Sequence, residues 1–406
     1  MNMNVLLIAY HFPPFGQTSS RRSGCMAKYL PCFGWNPIVL TRQWTSKNGP
    51  YDPSIVIGIP SDVVVYEVDC DIPPQPALSR FNKRFNQICF PHMEPIEYFN
   101  AAQKKLPEII AKHNIKVIWA TFPSFCNLSL ANQLSMETGV PWVADFRDVH
   151  QFVDGFGAAF MLPIRLFYLK RLLRSASIKI AVSDGFAETL RKRYKCDVLV
   201  IPNGFDPDVV VPEATRRFSK FEFVYTGGIN LGNPDFTPFL DALHKLCSCG
   251  KINAGDVAVT FYGAGNEKRF KQIMRHPISH VIKNCGGVPR KESLEHQRTA
   301  LILLQTTAPG TGWMTSKIYE YLIARRPILA FPCDGEHIEK LINETGTGVS
   351  CSTSEEIAAQ LMDWYSEWKN TGTIEWHGNM SMIMQYSRKK QAEETARILE
   401  GVVSDN

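Results

Sequence analysis

A chain of 406 residues with 45% hydrophobic composition can bury two sizeable cores, because a domain takes roughly 150 residues. Its 44 lysines and arginines stand against 39 aspartates and glutamates, too even a balance for the strongly basic domain that nucleic-acid binding demands. No run of about 18 apolar residues occurs, so no membrane-spanning helix is expected.

Residues 1–10 lack a basic leader and a small-residue cleavage site, so their apolar part reads as a buried strand of a cytoplasmic protein. The 11 cysteines are scattered without C-x-x-C pairs. Cys89, Cys285 and Cys333 lie in apolar runs and read as core thiols, and only Cys247 and Cys249 approach the spacing of zinc ligands.

In chain order, Asn4 to Tyr10 is a continuous apolar run of strand length, followed by the loop His11 to Ser20 and an amphipathic helix from Arg21 to Phe33 that ends at Gly34. Strand, loop and helix open a parallel α/β unit, and ligands of open parallel sheets bind at the carboxyl ends of the strands. Pro13 and Pro14 keep that loop extended, and Gly16 permits close backbone approach. Trp35 to Thr41 and Asp62 to Val68 read as the next strands, and a proline-rich and aromatic stretch, Pro73 to Pro95, as an excursion over the sheet. A helix from Glu97 to His113 precedes the strand Lys116 to Ala120, and a further buried strand, Pro141 to Ala144, runs into Asp145-Phe146-Arg147-Asp148. Two acids flanking an arginine at a strand end either pair among themselves or serve a ligand.

The helix expected over 162–175 puts Leu162, Leu166, Leu169 and Leu173 on one face and carries Arg165, Lys170, Arg171 and Arg174 with no acid. This describes a core-facing stripe with a solvated basic rim, or a surface that touches anionic lipid. Ile178 to Val182 is a short strand, Ser183 caps the helix Phe186 to Tyr194, and Val198 to Asp206 closes one half. The polar piece Glu213 to Lys220 reads as a linker, and the α/β alternation restarts at Phe221. Strands then end at Thr226-Gly227-Gly228, at Tyr262-Gly263-Ala264-Gly265, at Cys285-Gly286-Gly287-Val288, and after Leu301 to Leu304. The Gly227-Gly228 turn lacks the full G-x-G-x-x-G.

That last strand feeds a flexible loop, Pro309 to Met314, and a helix beginning near Thr315-Ser316-Lys317. Thr315 or Ser316 is the expected N-cap, the helix start attracts anions, and Lys317 adds a positive charge there with Glu320 one turn on. The pair suits a phosphate with a ribose hydroxyl beside it. An ordinary surface helix with Lys317 and Glu320 paired at the i to i+3 spacing is the alternative.

Taken together, Tyr10 to Gly16 with Lys28 to Thr41, Pro141 to Asp148, Val182-Ser183, Pro202-Asn203-Gly204-Phe205-Asp206, Tyr225-Thr226-Gly227, Tyr262 to Gly265 and Lys317 to Leu329 resemble, in order and spacing, a family 4 glycosyltransferase of the GT-B fold. The resemblance implies an α/β protein of two Rossmann-like domains facing across a cleft: an acceptor-side domain over 1–205, a nucleotide-sugar domain over 206–386, and a C-terminal helix in 387–406 crossing back to the first. It implies that Glu320 holds the ribose hydroxyls, and that the amides of Met314, Thr315 and Ser316, with Gly227 and Gly228, hold the diphosphate. Gly16 and Gln17 then close over the phosphates, and Val288 lines the base pocket. Arg147, with Asp148 beside it, stands where many members place a histidine near the reacting sugar, so Arg147, Asp148 and Lys317 are the expected catalytic residues.

Three departures stand out. Gly312 occupies the place of the first of two glutamates eight residues apart, no base follows the Tyr225 strand between Gly228 and Phe239, and Arg147 replaces the histidine. Lys317 is the expected substitute for the missing bases. The function implied is a retaining, metal-independent transfer of a sugar from a nucleoside-diphosphate donor to a hydroxyl of a carbohydrate or lipid-linked acceptor, in bacterial surface polysaccharide or glycoconjugate synthesis. No cofactor or metal is expected, and no nucleic acid. Localisation is expected to be cytoplasmic, or peripheral at the inner membrane face through residues 162–175. A sugar-nucleotide epimerase of the same fold, or a catalytically silent GT-B protein, are the alternatives.

Overall fold

The computed structural model describes residues 3–56, 58–70, 96–147, 156–209, 217–229, 235–263, 267–306, 316–333, 335 and 337–405. The expectations for 73–95, for residues 213–216 of the 213–220 linker, for Cys89, and for Asp148, Gly312, Met314 and Thr315 lie outside these residues. The chain divides into two compact units, one of Met1–Asp206 with Arg388–Asn406 and the other of Pro207–Ser387.

In the first unit the strands are β1 (Met3–Ile8), β2 (Trp35–Arg42), β3 (Val64–Val68), β4 (Ile115–Phe122), β5 (Trp142–Phe146), β6 (Ile178–Ala181) and β7 (Leu199–Val200). They form one parallel sheet in the order β3-β2-β1-β4-β5-β6-β7. Its helices are α1 (Arg21–Tyr29), α2 (Ile96–Lys112), α3 (Phe125–Thr138), α4 (Phe156–Ser175) and α5 (Asp184–Tyr194). The central strands are buried on both faces over most of their length, which is why they read as largely apolar runs instead of alternating ones. The helix expected over 21–33 is α-helical only to Tyr29 and tightens into a 3₁₀ turn at Leu30–Phe33, where Pro31 supplies no amide for the next helical bond. Ser183 caps α5 as expected, its Oγ accepting from the Phe186 amide at 3.3 Å.

In the second unit β8 (Phe221–Thr226), β9 (Val257–Tyr262), β10 (Ile282–Asn284), β11 (Ile302–Thr306), β12 (Ile328–Phe331) and β13 (Gly348–Ser350) make a parallel sheet in the order β10-β9-β8-β11-β12-β13. Its helices are α6 (Thr237–Ser248), α7 (Glu267–Ile273), α8 (Arg290–Arg298), α9 (Lys317–Leu322), α10 (His337–Thr345), α11 (Ser354–Thr371) and α12 (Met380–Met384). Chain order reverses on either side of β8 in this sheet and on either side of β1 in the other, and the crevice beyond such a strand is where parallel sheets take ligands.

The last helix, α13 (Arg388–Ser404), belongs to the first unit. Ala392, Ala396, Leu399 and Val402 join Met26, Leu30 and Trp119 in its core. Arg388 anchors the helix start, its amide donating to Phe205 O at 2.8 Å and its guanidinium to Asn203 Oδ1 at 3.3 Å.

Candidate functional site

In the second unit, the carboxyl ends of β8, β9 and β10 are bound to one another through glycines. Gly227 N donates to Tyr262 O at 2.7 Å, and Gly263 N to Gly286 O at 2.5 Å. Gly227 has φ +118 and Gly263 φ +88, a backbone region that side chains rarely enter. A Cβ on Gly263 would also stand 3.3 Å from the Gly227 backbone. Beneath this rim, Tyr321 fixes α9 to β8: its hydroxyl accepts from Thr226 N at 2.9 Å, while Gln297 of α8 donates to Thr226 Oγ1 at 2.9 Å.

α9 is not an ordinary surface helix. Ile318 to Leu322 are all buried. Nor do Lys317 and Glu320 pair with each other. Lys317 is half-buried with its Nζ 3.6 Å from the centre of the Tyr225 ring and beside Gly227, whose Cβ would lie 3.8 Å from it. No carboxylate pairs with it among the described residues. Cation–π attraction holds such an ammonium at roughly 0.5–2 kcal/mol, and burial still draws its pKa down to about 7. Glu320 instead accepts from Arg290 Nη2 at 3.2 Å. Ser316 precedes α9 as expected, but its side chain makes no capping bond. Val288, half-buried, lies two residues before Arg290, and Gly228 adjoins Gly227 with its missing Cβ 4.0 Å from Gly263 O. One strand-end edge therefore gathers Gly227, Gly228, Ser316, Lys317 and Glu320, with Val288 leading into Arg290.

The remaining expected residues belong to the first unit. Gly16 sits in a tight crossing of two loops, its amide donating to Pro50 O at 2.9 Å, and a Cβ there would come within 3.0 Å of Asp52 Cβ. Gln17 is exposed and leads into the 3₁₀ turn Thr18–Ser20. Arg147 holds this turn to the end of β4: its guanidinium donates to Thr121 Oγ1 at 2.8 Å, to Phe122 O at 3.2 Å, and to Ser19 O. Asp145 pairs with Arg22 instead of with Arg147, which one reading expected. Asp145 is fully buried against Arg22 of α1, with Nε 2.9 Å from Oδ2 and Nη2 2.8 Å from Oδ1, and Arg22 Nη1 also donates to Ile201 O and Pro202 O. His11, packed on Phe15 and Trp44, has its pKa lowered to about 3 by burial and by the charges of Arg147 and Arg42, so it stays neutral.

Among the described residues no group of three or more His, Cys, Asp or Glu is placed to hold a metal ion. The D-x-D spacing does occur, at 69–71 and 206–208, but Asp206 is engaged by Lys28 at 3.0 Å and by the Tyr29 hydroxyl at 2.5 Å. Cys285 and Cys333, expected in the core, are half-buried, whereas Cys70, Cys126 and Cys351 are buried.

Residues 58–209 match the family model described as Glycosyltransferase Family 4. Over its whole length the chain is similar to the HepE structure from Anabaena in complex with UDP and glucose, with a TM-score of 0.62, 15% identity, and coverage of 98% of this chain and 100% of that one. It is also similar to sucrose-phosphate synthase from Thermosynechococcus elongatus, with a TM-score of 0.60, 14% identity, and coverage of 100% and 97%. The lipopolysaccharide outer core galactosyltransferase WaaB gives a TM-score of 0.58 at 13% identity, with coverage of 98% and 100%. Residues 58–209 are thus similar to family 4, and the chain has the GT-B fold. No curated protein matches its sequence.

In this GT-B chain, Arg290, Tyr225 and Gln297 complete an edge whose other members the sequence had already marked. A base at the first position of a helix, against the positive end of its dipole, was the available signal for Arg290. Tyr225 lay in a strand the resemblance marked but not as a partner for Lys317, and nothing local announced Gln297.

Proposed function

We propose that the chain is a glycosyltransferase that moves a sugar from a nucleoside-diphosphate donor to an acceptor hydroxyl with retention at the anomeric carbon. The observation that carries this is Lys317: an ammonium with no carboxylate partner among the described residues, seated against a glycine turn at a switch-point strand, one helical turn from a carboxylate. The diphosphate lies along Gly227, Gly228 and the Ser316 amide, the ribose reaches Glu320, and the base lies by Val288. As the bond from anomeric carbon to phosphate oxygen breaks, negative charge grows on the leaving diphosphate, and Lys317 with the amides stabilises it without a metal. The acceptor oxygen attacks the same face of the sugar and passes its proton to the departing phosphate. Trapping of a covalent glycosyl-enzyme adduct would rule this route out. Arg147 acts by holding the Thr18–Ser20 turn, and with it Gly16 and Gln17.

A carbohydrate or lipid-linked acceptor of bacterial glycoconjugate synthesis, met at the cytoplasmic membrane face, is supported by α4. Leu169, Leu172 and Leu173 are buried, while Phe167 is 70% exposed and shares the i, i+3, i+4, i+7 face with exposed Lys170, Arg171 and Arg174. Leu162 and Arg165 fall among side chains the structure does not describe.

The deciding experiment is a panel of nucleoside-diphosphate sugars tested for thermal protection and then for turnover with Lys317→Ala. Binding by one base class and a loss of about 100-fold or more in turnover are expected. Unchanged turnover by Lys317→Ala overturns the assignment. Conversion of the donor in the absence of any acceptor would identify an epimerase, and no binding at all a silent GT-B protein.

A further inference from the structure

Arg290 opens α8 with its guanidinium against Glu320, Nη2 to Oε1 at 3.2 Å. Three features set this pair apart from a surface ion pair. The carboxylate side chain is 11% exposed and the guanidinium 27%, so the acid is the inner partner and the arginine its outer wall. The arginine occupies the first turn of its helix, where the dipole disfavours a cation, so its position depends on the acid it faces. Its Nε is buried without a hydrogen-bond partner among the described residues, so the fold alone does not use the guanidinium fully. Lys317 cannot do this work, because its ammonium is turned onto Tyr225.

We infer that Arg290 is the positioning residue for Glu320, fixing the carboxylate's orientation and charge so that it accepts hydrogen bonds from the ribose hydroxyls of the bound nucleotide. The inference rests on the donor reading above. A carboxylate offers about four lone-pair positions, so the N–H that Arg290 gives to Oε1 orients it without exhausting it. Loss of the arginine removes the Nη2–Oε1 hydrogen bond that orients this largely buried carboxylate, and it then discriminates poorly between a nucleotide with a 2′-hydroxyl and one without.

The test is calorimetric titration of the full chain with UDP and 2′-deoxy-UDP, and with GDP and 2′-deoxy-GDP. Wild type is compared with Arg290→Met, Arg290→Gln and Arg290→Lys, each first shown to be folded by circular dichroism. Wild type is expected to prefer one ribonucleotide over its deoxy form by about tenfold or more, the scale of a hydrogen bond to a charged group. The ratio should fall to about threefold or less in the Met and Gln variants, whichever of them folds. It should recover in part with Lys, which keeps the charge but loses the planar fork. Neutral variants that bind both forms more weakly yet keep the wild-type ratio overturn the inference and leave the donor site standing. Wild type that binds neither base overturns the donor site itself.

Discussion

Lys317 carries the strongest consequence at the scale of single residues. Its ordinary pKa of 10.5 falls to about 7 on folding, so between those values the unfolded chain holds a proton that the folded chain has lost. Stability of the second unit therefore rises with pH from about 7 to about 10.5, and the burial cost is fully present below 7. Urea melts of Lys317→Met should lack this rise and should exceed wild type in stability below pH 7. A bound diphosphate restores the proton by supplying the missing opposite charge, so affinity for the nucleotide sugar selected by the panel should fall as pH climbs above about 7, and the Met variant should show no such slope. Arg22 and Asp145 act in the opposite sense, as a finished pair. Asp145→Asn or Arg22→Met strands the partner in a dry interior, and the expected loss is about 3–5 kcal/mol in denaturant unfolding. A loss under about 1 kcal/mol would mean that water or another group takes over.

The strands were the most legible elements, because a parallel strand covered on both faces must be largely apolar, and Val5 to Ile8 and Val117 to Ala120 are wholly so. Helix ends were less legible: nothing in the order of residues shows that Pro31 tightens the last turn of α1, or that α4 begins at Phe156 instead of Leu162. The site was half legible. Gly227, Lys317 and Glu320 stood out by type and position, but the partners that give them their chemistry lie far off in sequence, Arg290 being 30 positions from Glu320 and Arg22 123 from Asp145. Local pairing rules favoured a bond between Lys317 and Glu320 at one-turn spacing, and the pull of the Tyr225 ring and of Arg290 overrode it. For α4, the exposed face predicts co-flotation with vesicles of anionic lipid at low salt and none with neutral vesicles. Phe167→Ser combined with charge reversal of Lys170, Arg171 and Arg174 should abolish it. Flotation unchanged by those substitutions would assign the contact elsewhere.

For the whole molecule, the division into two units means that ligand effects should be local. Hydrogen exchange with a saturating nucleotide sugar is expected to slow amides of β8 and α9, by a factor that grows with ligand excess, before it slows those of β1. Protection confined to the first unit would contradict the assignment of the donor edge.

The placement of α13 has a further consequence. Because Ala396 and Leu399 complete a core begun by Val5 and Leu7, the first unit is built from two segments of the chain with all of the second between them. On the ribosome, α1 and β4 must wait with an uncovered apolar face while the second unit is translated, and they can close only when α13 emerges. A stop codon after Ser387 would therefore injure the part of the protein made first, and its trace would be a chaperone-bound or aggregated amino-terminal half beside a second unit whose sequence is intact.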